Sequence, residues 1–113
     1  MPERYSPGEM LLAALTFTSQ AGAKKRPVIA IRDVGDDDLL VAPVSAQSAR
    51  VTYDVALAEW QKAGLRLPSV VRVEKLATIE KSTVLRRLGR VTANDWVTVK
   101  QSMKKVCEEI LGG

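Results

Sequence analysis

The stretch Lys24-Lys25-Arg26-Pro27-Val28-Ile29-Ala30-Ile31-Arg32-Asp33-Val34-Gly35-Asp36-Asp37-Asp38-Leu39-Leu40-Val41-Ala42-Pro43-Val44-Ser45 decides the fold. Two short apolar runs, 27–32 and 38–45, flank an acidic segment whose Gly35 can supply a positive φ, which is the pattern of an antiparallel hairpin. The three adjacent aspartates of that turn have no distant ligand to complete a metal site and read as a solvated loop. The cations at the front of the hairpin carry a second message. Pro27 fixes its own φ and biases Arg26 towards an extended conformation, so this guanidinium is held more firmly than an ordinary surface arginine. An arginine so placed beside a small, polar loop, Thr18-Ser19-Gln20-Ala21-Gly22-Ala23, could bind phosphate under a mobile flap. The alternative is a solvated charge run next to an edge strand.

Working outward, residues 9–17 read as another buried strand. Val55 to Gly64 predicts a short helix capped by Asp54 and stopped by Gly64. Residues 69–79 and 83–91 are rich in β-branched side chains and predict two further strands, joined by a turn at Lys81-Ser82. A terminal helix over 93–111 follows from Thr92 as N-cap, from Trp96, Val99, Met103, Val106, Cys107 and Ile110 at helical spacing, and from Gly112 as terminator. These elements imply a mainly β fold: one domain spanning 1–113, a small, strongly bent antiparallel β-barrel with a short mid-chain helix and a C-terminal helix packed on it.

Composition narrows the functional classes. The longest apolar run, Met10 to Leu15, is far short of the ~20 residues of a membrane span, and MPERYSPGE lacks a signal-peptide core, so cytoplasmic residence without a membrane partner is expected. The single cysteine, Cys107, excludes an internal disulfide or a multi-cysteine metal site. Residues 1–56 carry six Lys/Arg against seven Asp/Glu, and residues 57–113 eleven against six, so the second half favours an acidic partner such as nucleic acid or an acidic peptide. A chain this short also gains from dimerisation, which buries more apolar surface.

The absence of histidine removes the usual acid/base near neutral pH, the commonest metal ligand and every His-dependent nucleophile. Chemistry then falls to carboxylates, arginines and hydroxyls. In Ser69-Val70-Val71-Arg72-Val73-Glu74-Lys75-Leu76 the two-residue period of a strand sets Arg72 and Glu74 on one face and Val71 and Val73 on the other, a carboxylate beside a guanidinium that could serve catalysis or be a structural ion pair. At the end of the third strand Ser45, Gln47 and Ser48 are neutral donors suited to phosphate oxygens, or else simply satisfy a turn.

The order Gly8-Glu9, Lys24-Lys25-Arg26-Pro27, Val41-Ala42-Pro43-Val44-Ser45-Ala46-Gln47, Trp60-Gln61-Lys62-Ala63-Gly64-Leu65, Pro68-Ser69-Val70-Val71-Arg72, Lys75-Leu76-Ala77-Thr78 and Leu88-Gly89-Arg90-Val91 resembles the MazF/PemK family of toxins over nearly the whole chain. The resemblance implies an SH3-like barrel and a homodimeric, metal-independent endoribonuclease that needs no cofactor. It also implies cutting of single-stranded RNA in a groove along the dimer interface, and restraint by a cognate antitoxin. By position in its motif Arg26 looks like the arginine that acts on the scissile phosphate. Ser45 stands where many members carry threonine or serine, and Arg72 and Glu74 match the arginine and acid of the PemK branch. That branch also uses a histidine in its first loop, which this chain lacks, so the arginine and hydroxyl scheme gains weight.

On this reading the 2′-hydroxyl attacks the adjacent phosphate, Glu74 accepts its proton, Arg26 and Arg72 neutralise the phosphorane, and Ser45 donates a hydrogen bond. Lys24, Lys25, Gln47, Ser48, Arg86 and Arg87 are the candidates for holding RNA. A competing expectation is a non-enzymatic toxin resembling the gyrase-binding proteins of this fold, or an inactive dimeric binding module. Either could discard the Lys-Lys-Arg-Pro run and the Arg72/Glu74 pair.

Overall fold

The computed structural model describes residues 3–16 and 23–112. Phe17 and most of the expected flap, Thr18 to Gly22, lie outside the described residues. The order of elements is β1 (Glu9–Thr16), β2 (Ala23–Arg32), β3 (Asp38–Ser45), β4 (Asp54–Ala56), β5 (Val70–Arg72), β6 (Ala77–Glu80), β7 (Val84–Arg90) and helix α1 (Ala93–Gly112). Short 3-10 turns at Val73–Lys75 and Lys81–Thr83 flank β6.

The hairpin read from the sequence is present: β2 and β3 pair antiparallel, with Val28 opposite Pro43 and Ala30 opposite Val41, and Gly35 has φ +93° in the turn. β1 lies on the other side of β2 and pairs β7 beyond it, so the described strands run β4-β5-β3-β2-β1-β7, with β6 also on β3. The fold is mostly β with a C-terminal helix, as expected. Among the described residues the sheet does not close, so the barrel is a loose one.

Residues 10–15, 27–31 and 39–44 of the three central strands read as apolar runs because both faces of the sheet are covered there. Met10, Ile29, Ile31, Ala42 and Val44 face a core completed by Val71, Val73, Val91 and Val99 of the helix. Leu11, Ala13, Val28, Ala30, Leu39 and Val41 face the opposite side and form a second, smaller core. Alternation along each strand deals successive side chains to the two cores.

The helix is held at its start as the sequence predicts: Thr92 Oγ1 accepts the N–H of Asp95 at 3.3 Å. The Asp95 carboxylate in turn accepts the N–H groups of Ala58 and Glu59 at 3.0 and 2.9 Å and so fastens the mid-chain turn to the helix. Trp96, Val99, Met103 and Val106 meet the core, whereas Cys107 is exposed and Ile110 is 73% exposed. The last turns of the helix therefore run beyond the sheet.

Two expectations need correction. Residues 58–64 form successive turns rather than a helix: Lys62, Ala63 and Gly64 donate to the carbonyls three residues back, and Leu65 N–H closes the segment on Trp60 at 3.2 Å. Seven residues are too few to repay helix nucleation. Asp54 caps nothing there but belongs to β4. The segment 69–79 is also not one strand, since β5 ends at Arg72 and a 3-10 turn intervenes before β6. Glycine explains how the turn segment packs. A Cβ on Gly64 would run into the Leu88 carbonyl, and one on Gly89 would lie 2.6 Å from the Ala63 oxygen, so two backbones touch here with no room for side chains.

Candidate functional site

A cavity of about 970 Å³ lies at one end of the smaller core. Arg26 and Pro27 of β2, Pro43 to Gln47 at the end of β3, Leu65 to Leu67, Arg72, Lys75, Ala77, Ile79, Glu80 and Thr83 line it. The register explains the grouping. Two residues beyond the pair Val28–Pro43 stand Arg26 on β2 and Ser45 on β3, so continued pairing sets them level and on one face. The same spacing on the other side sets Arg72 level with Pro43, since Val44 pairs Val71.

Arg26 is exposed, donates only to the neighbouring Lys25 carbonyl at 3.4 Å, and makes no ion pair among the described residues. Ser45 Oγ accepts the Gln47 N–H at 3.1 Å, which leaves its own hydrogen available to an oxygen in the groove. The Gln47 side chain accepts from the Arg50 guanidinium. Arg66 and Lys75 add two further cations that the sequence reading did not single out.

Arg72 reaches the groove but is not free. Its guanidinium is paired with Asp54, and the two side chains are 9% and 2% exposed. It also donates to the Ser48 carbonyl at 3.4 Å, while Asp54 accepts the Arg50 N–H at 2.8 Å. Burial works against the charge of Asp54. It is outweighed by the Arg50 N–H, the Arg72 charge, the Val51 N–H and the Arg72 hydrogen bond, so the carboxyl stays below the usual carboxylate range. This buried pair folds the segment from Ser45 to Asp54 against the groove wall. The signal was legible: Tyr53-Asp54-Val55-Ala56-Leu57 alternates, and an arginine inside Val-Val-Arg-Val demands a buried anion.

The structure does not bring Glu74 to Arg72. The 3-10 turn that begins at Val73 breaks the two-residue period, leaving Glu74 exposed and outside the groove lining. It stands near Tyr53, whose phenol is raised by its hydrogen bond to Glu109, by burial, and by the charges of Glu109 and Glu74. Lys24 and Lys25 are exposed on β2, and Arg86 on β7; none of the three lines the groove. Ser48 contributes its carbonyl to Arg72 rather than a side chain to the cavity. Arg87 is engaged elsewhere, paired with Glu3 at 2.7 Å and Glu9 at 2.8 Å and set 4.6 Å from the centre of the Tyr5 ring.

The fold is that of solved toxins of known class. A toxin from Mycobacterium tuberculosis, MazF-mt6, superposes with a TM-score of 0.73 at 20% identity, over 88% of this chain and 96% of that one. An endoribonuclease from mycobacterial species gives 0.74 at 13% identity, over 94% and 93%. A MazE-MazF complex from Deinococcus radiodurans gives 0.73 at 14%, over 96% of both chains. No curated protein matches the sequence. The family model of the PemK-like, MazF-like toxins of type II toxin-antitoxin systems matches residues 6–107, and the chain belongs to that family.

Proposed function

We propose that this toxin is an endoribonuclease that cuts single-stranded RNA without a metal ion. The observation that carries the reading is the convergence of Arg26, Ser45 and Arg72 on one groove, with Arg26 unpaired among the described residues. Arg26 and Arg72 meet the scissile phosphate and stabilise the charge that develops as the 2′-hydroxyl attacks it, while Ser45 donates to a non-bridging oxygen. Arginine stays protonated throughout, so its part is electrostatic. With Glu74 outside the groove lining, the 2′-hydroxyl proton passes to solvent as the O2′–P bond forms, the P–O5′ bond breaks, and the leaving 5′-oxygen takes a proton from solvent. The products are a 2′,3′-cyclic phosphate and a 5′-hydroxyl.

Metal independence is supported by the donor set. The groove lining offers one carboxylate, Glu80, and neither histidine nor cysteine, which is a poor set for a divalent cation. The protein acts in the cytoplasm as a homodimer, and an acidic antitoxin competes with RNA for the same cationic groove. Both would bind more weakly as salt rises.

Purified protein incubated with end-labelled RNA in excess chelator tests the reading. Cleavage with cyclic phosphate ends is the expected result. Activity that disappears in chelator and returns with magnesium would overturn the mechanism.

A further inference from the structure

Resting on that reading, we infer that Lys75 holds a phosphate of the RNA next to the scissile one. The ladder on β3 sets its place. Val71 pairs Val44 and Ala77 pairs Val41, so five residues, Arg72 to Leu76, stand opposite two, Ala42 and Pro43. The surplus is taken up by the 3-10 turn at Val73–Lys75. Such a turn has about three residues per revolution, so side chains at i and i+3 lie on the same side. Val73 is fully buried in the main core and Leu76 packs against it, which fixes that side as the inner one. Glu74 and Lys75 are therefore turned to opposite flanks. Glu74 goes towards Tyr53, whose phenol feels its charge, while Lys75 is exposed and lines the groove. The turn that takes an anion out of the groove brings a cation in.

Its charge is available. Arg72 is compensated by the buried carboxylate of Asp54, whereas Lys75 makes no ion pair among the described residues. Lys75 comes between Arg72, level with Pro43, and Ala77, opposite Val41, so it stands two to four residues short of Ser45 along β3. At ~3.3 Å per residue that offset is roughly 7–13 Å. A phosphate held between Arg26 and Ser45 is then out of line with Lys75, and a neighbouring phosphate of the same strand comes opposite it. An ammonium on a flexible stem acts as a point charge and needs no fixed geometry to meet a phosphate oxygen. That phosphate keeps its charge throughout the reaction, so Lys75 binds ground state and transition state alike.

The test joins kinetics to salt dependence, using a substrate RNA and its counterpart with a 2′-deoxy nucleotide at the cut, which binds but cannot react. Lys75→Ala is expected to raise KM about fivefold, the upper end for one exposed ion pair, with kcat within about twofold. Its affinity for the blocked RNA should fall less steeply with salt, the slope of log affinity against log salt shrinking by about 0.7. Lys75→Gln, neutral but polar, should match it, and Lys75→Arg should restore both values. Lys100→Ala, an exposed helix position outside the groove lining, should leave the slope unchanged. Unchanged KM and slope in Lys75→Ala, a loss confined to kcat, or an equal shift in Lys100→Ala would overturn the inference while leaving the ribonuclease reading intact. No cleavage of any RNA by wild type would overturn both.

Discussion

Replacing Asp54 by alanine should be the most damaging single change near the groove. Its carboxylate is the buried counter-charge of Arg72, and removing one member of such a pair costs about 3–5 kcal/mol because the other charge is left uncompensated. The N–H of Arg50, at 2.8 Å, also loses its acceptor, adding about 1 kcal/mol. The total of about 4–6 kcal/mol corresponds to a fall in Tm on the order of 15–25 °C for a domain of this size. Thermal unfolding by circular dichroism, with urea titration for the free energy, measures it. Asp54→Asn should lose less, since the amide oxygen can still accept from Arg50. The double change Asp54→Leu with Arg72→Met should recover much of the loss by removing both charges. The pH dependence follows from the depressed carboxyl: its stabilisation is complete above the unfolded value near 4 and is lost as pH falls through the folded value, so Asp54→Ala should flatten the acid limb of the stability profile. A loss below about 1 kcal/mol in Asp54→Ala would refute the buried-pair argument.

Arg26→Ala should abolish RNA cleavage and growth inhibition while leaving Tm within a few degrees, because this exposed side chain makes no ion pair among the described residues; wild-type cleavage in the variant would move the active site elsewhere. Glu74→Gln should cleave within about threefold of wild type, and a hundredfold loss would return Glu74 to the role of base. Gly89→Ala should cost about 1–3 kcal/mol through the clash with Ala63, read as a lowered urea midpoint, and an unchanged midpoint would show that the two backbones can part freely. Acid titration should find one carboxyl near pH 2, Asp33, whose burial opposes charge but is overcome by Lys81 and by the N–H groups of Tyr5 and Gly35. Its stabilisation is complete above pH 4 and lost towards pH 2, and Asp33→Asn should remove that part of the acid transition.

The central strands and the helix were legible because their signals are local. Proline and glycine mark the hairpin, and Thr92 with Trp96, Val99 and Met103 marks the helix. The places of Arg26 and Ser45 were legible for the same reason, Arg26 standing beside Pro27 on β2 and Ser45 ending β3. The pairing of Arg72 was misread because its true partner is 18 residues away on β4, whereas Glu74 was the nearer acid in sequence. A strand of three residues carries too short a period to outweigh a helix-like composition after it. Arg66 and Lys75 line the groove from a loop and a 3-10 turn, which no local pattern assigns to it.

The open sheet leaves β7, with its arginines, at the end of the described strand order. β7 pairs β1 on one side and is the last described strand in the order, so its outer edge presents backbone donors and acceptors that another copy could add to. The strand reads Val-Leu-Arg-Arg-Leu-Gly-Arg, and two of its cations, Arg87 and Arg90, are tied across to Glu9 and to the Pro7 carbonyl. Like charges on two such edges repel, and a glycine weakens their pairing. Cations on an edge strand disfavour the addition of a further strand, a consequence of β7 that is separate from any RNA contact.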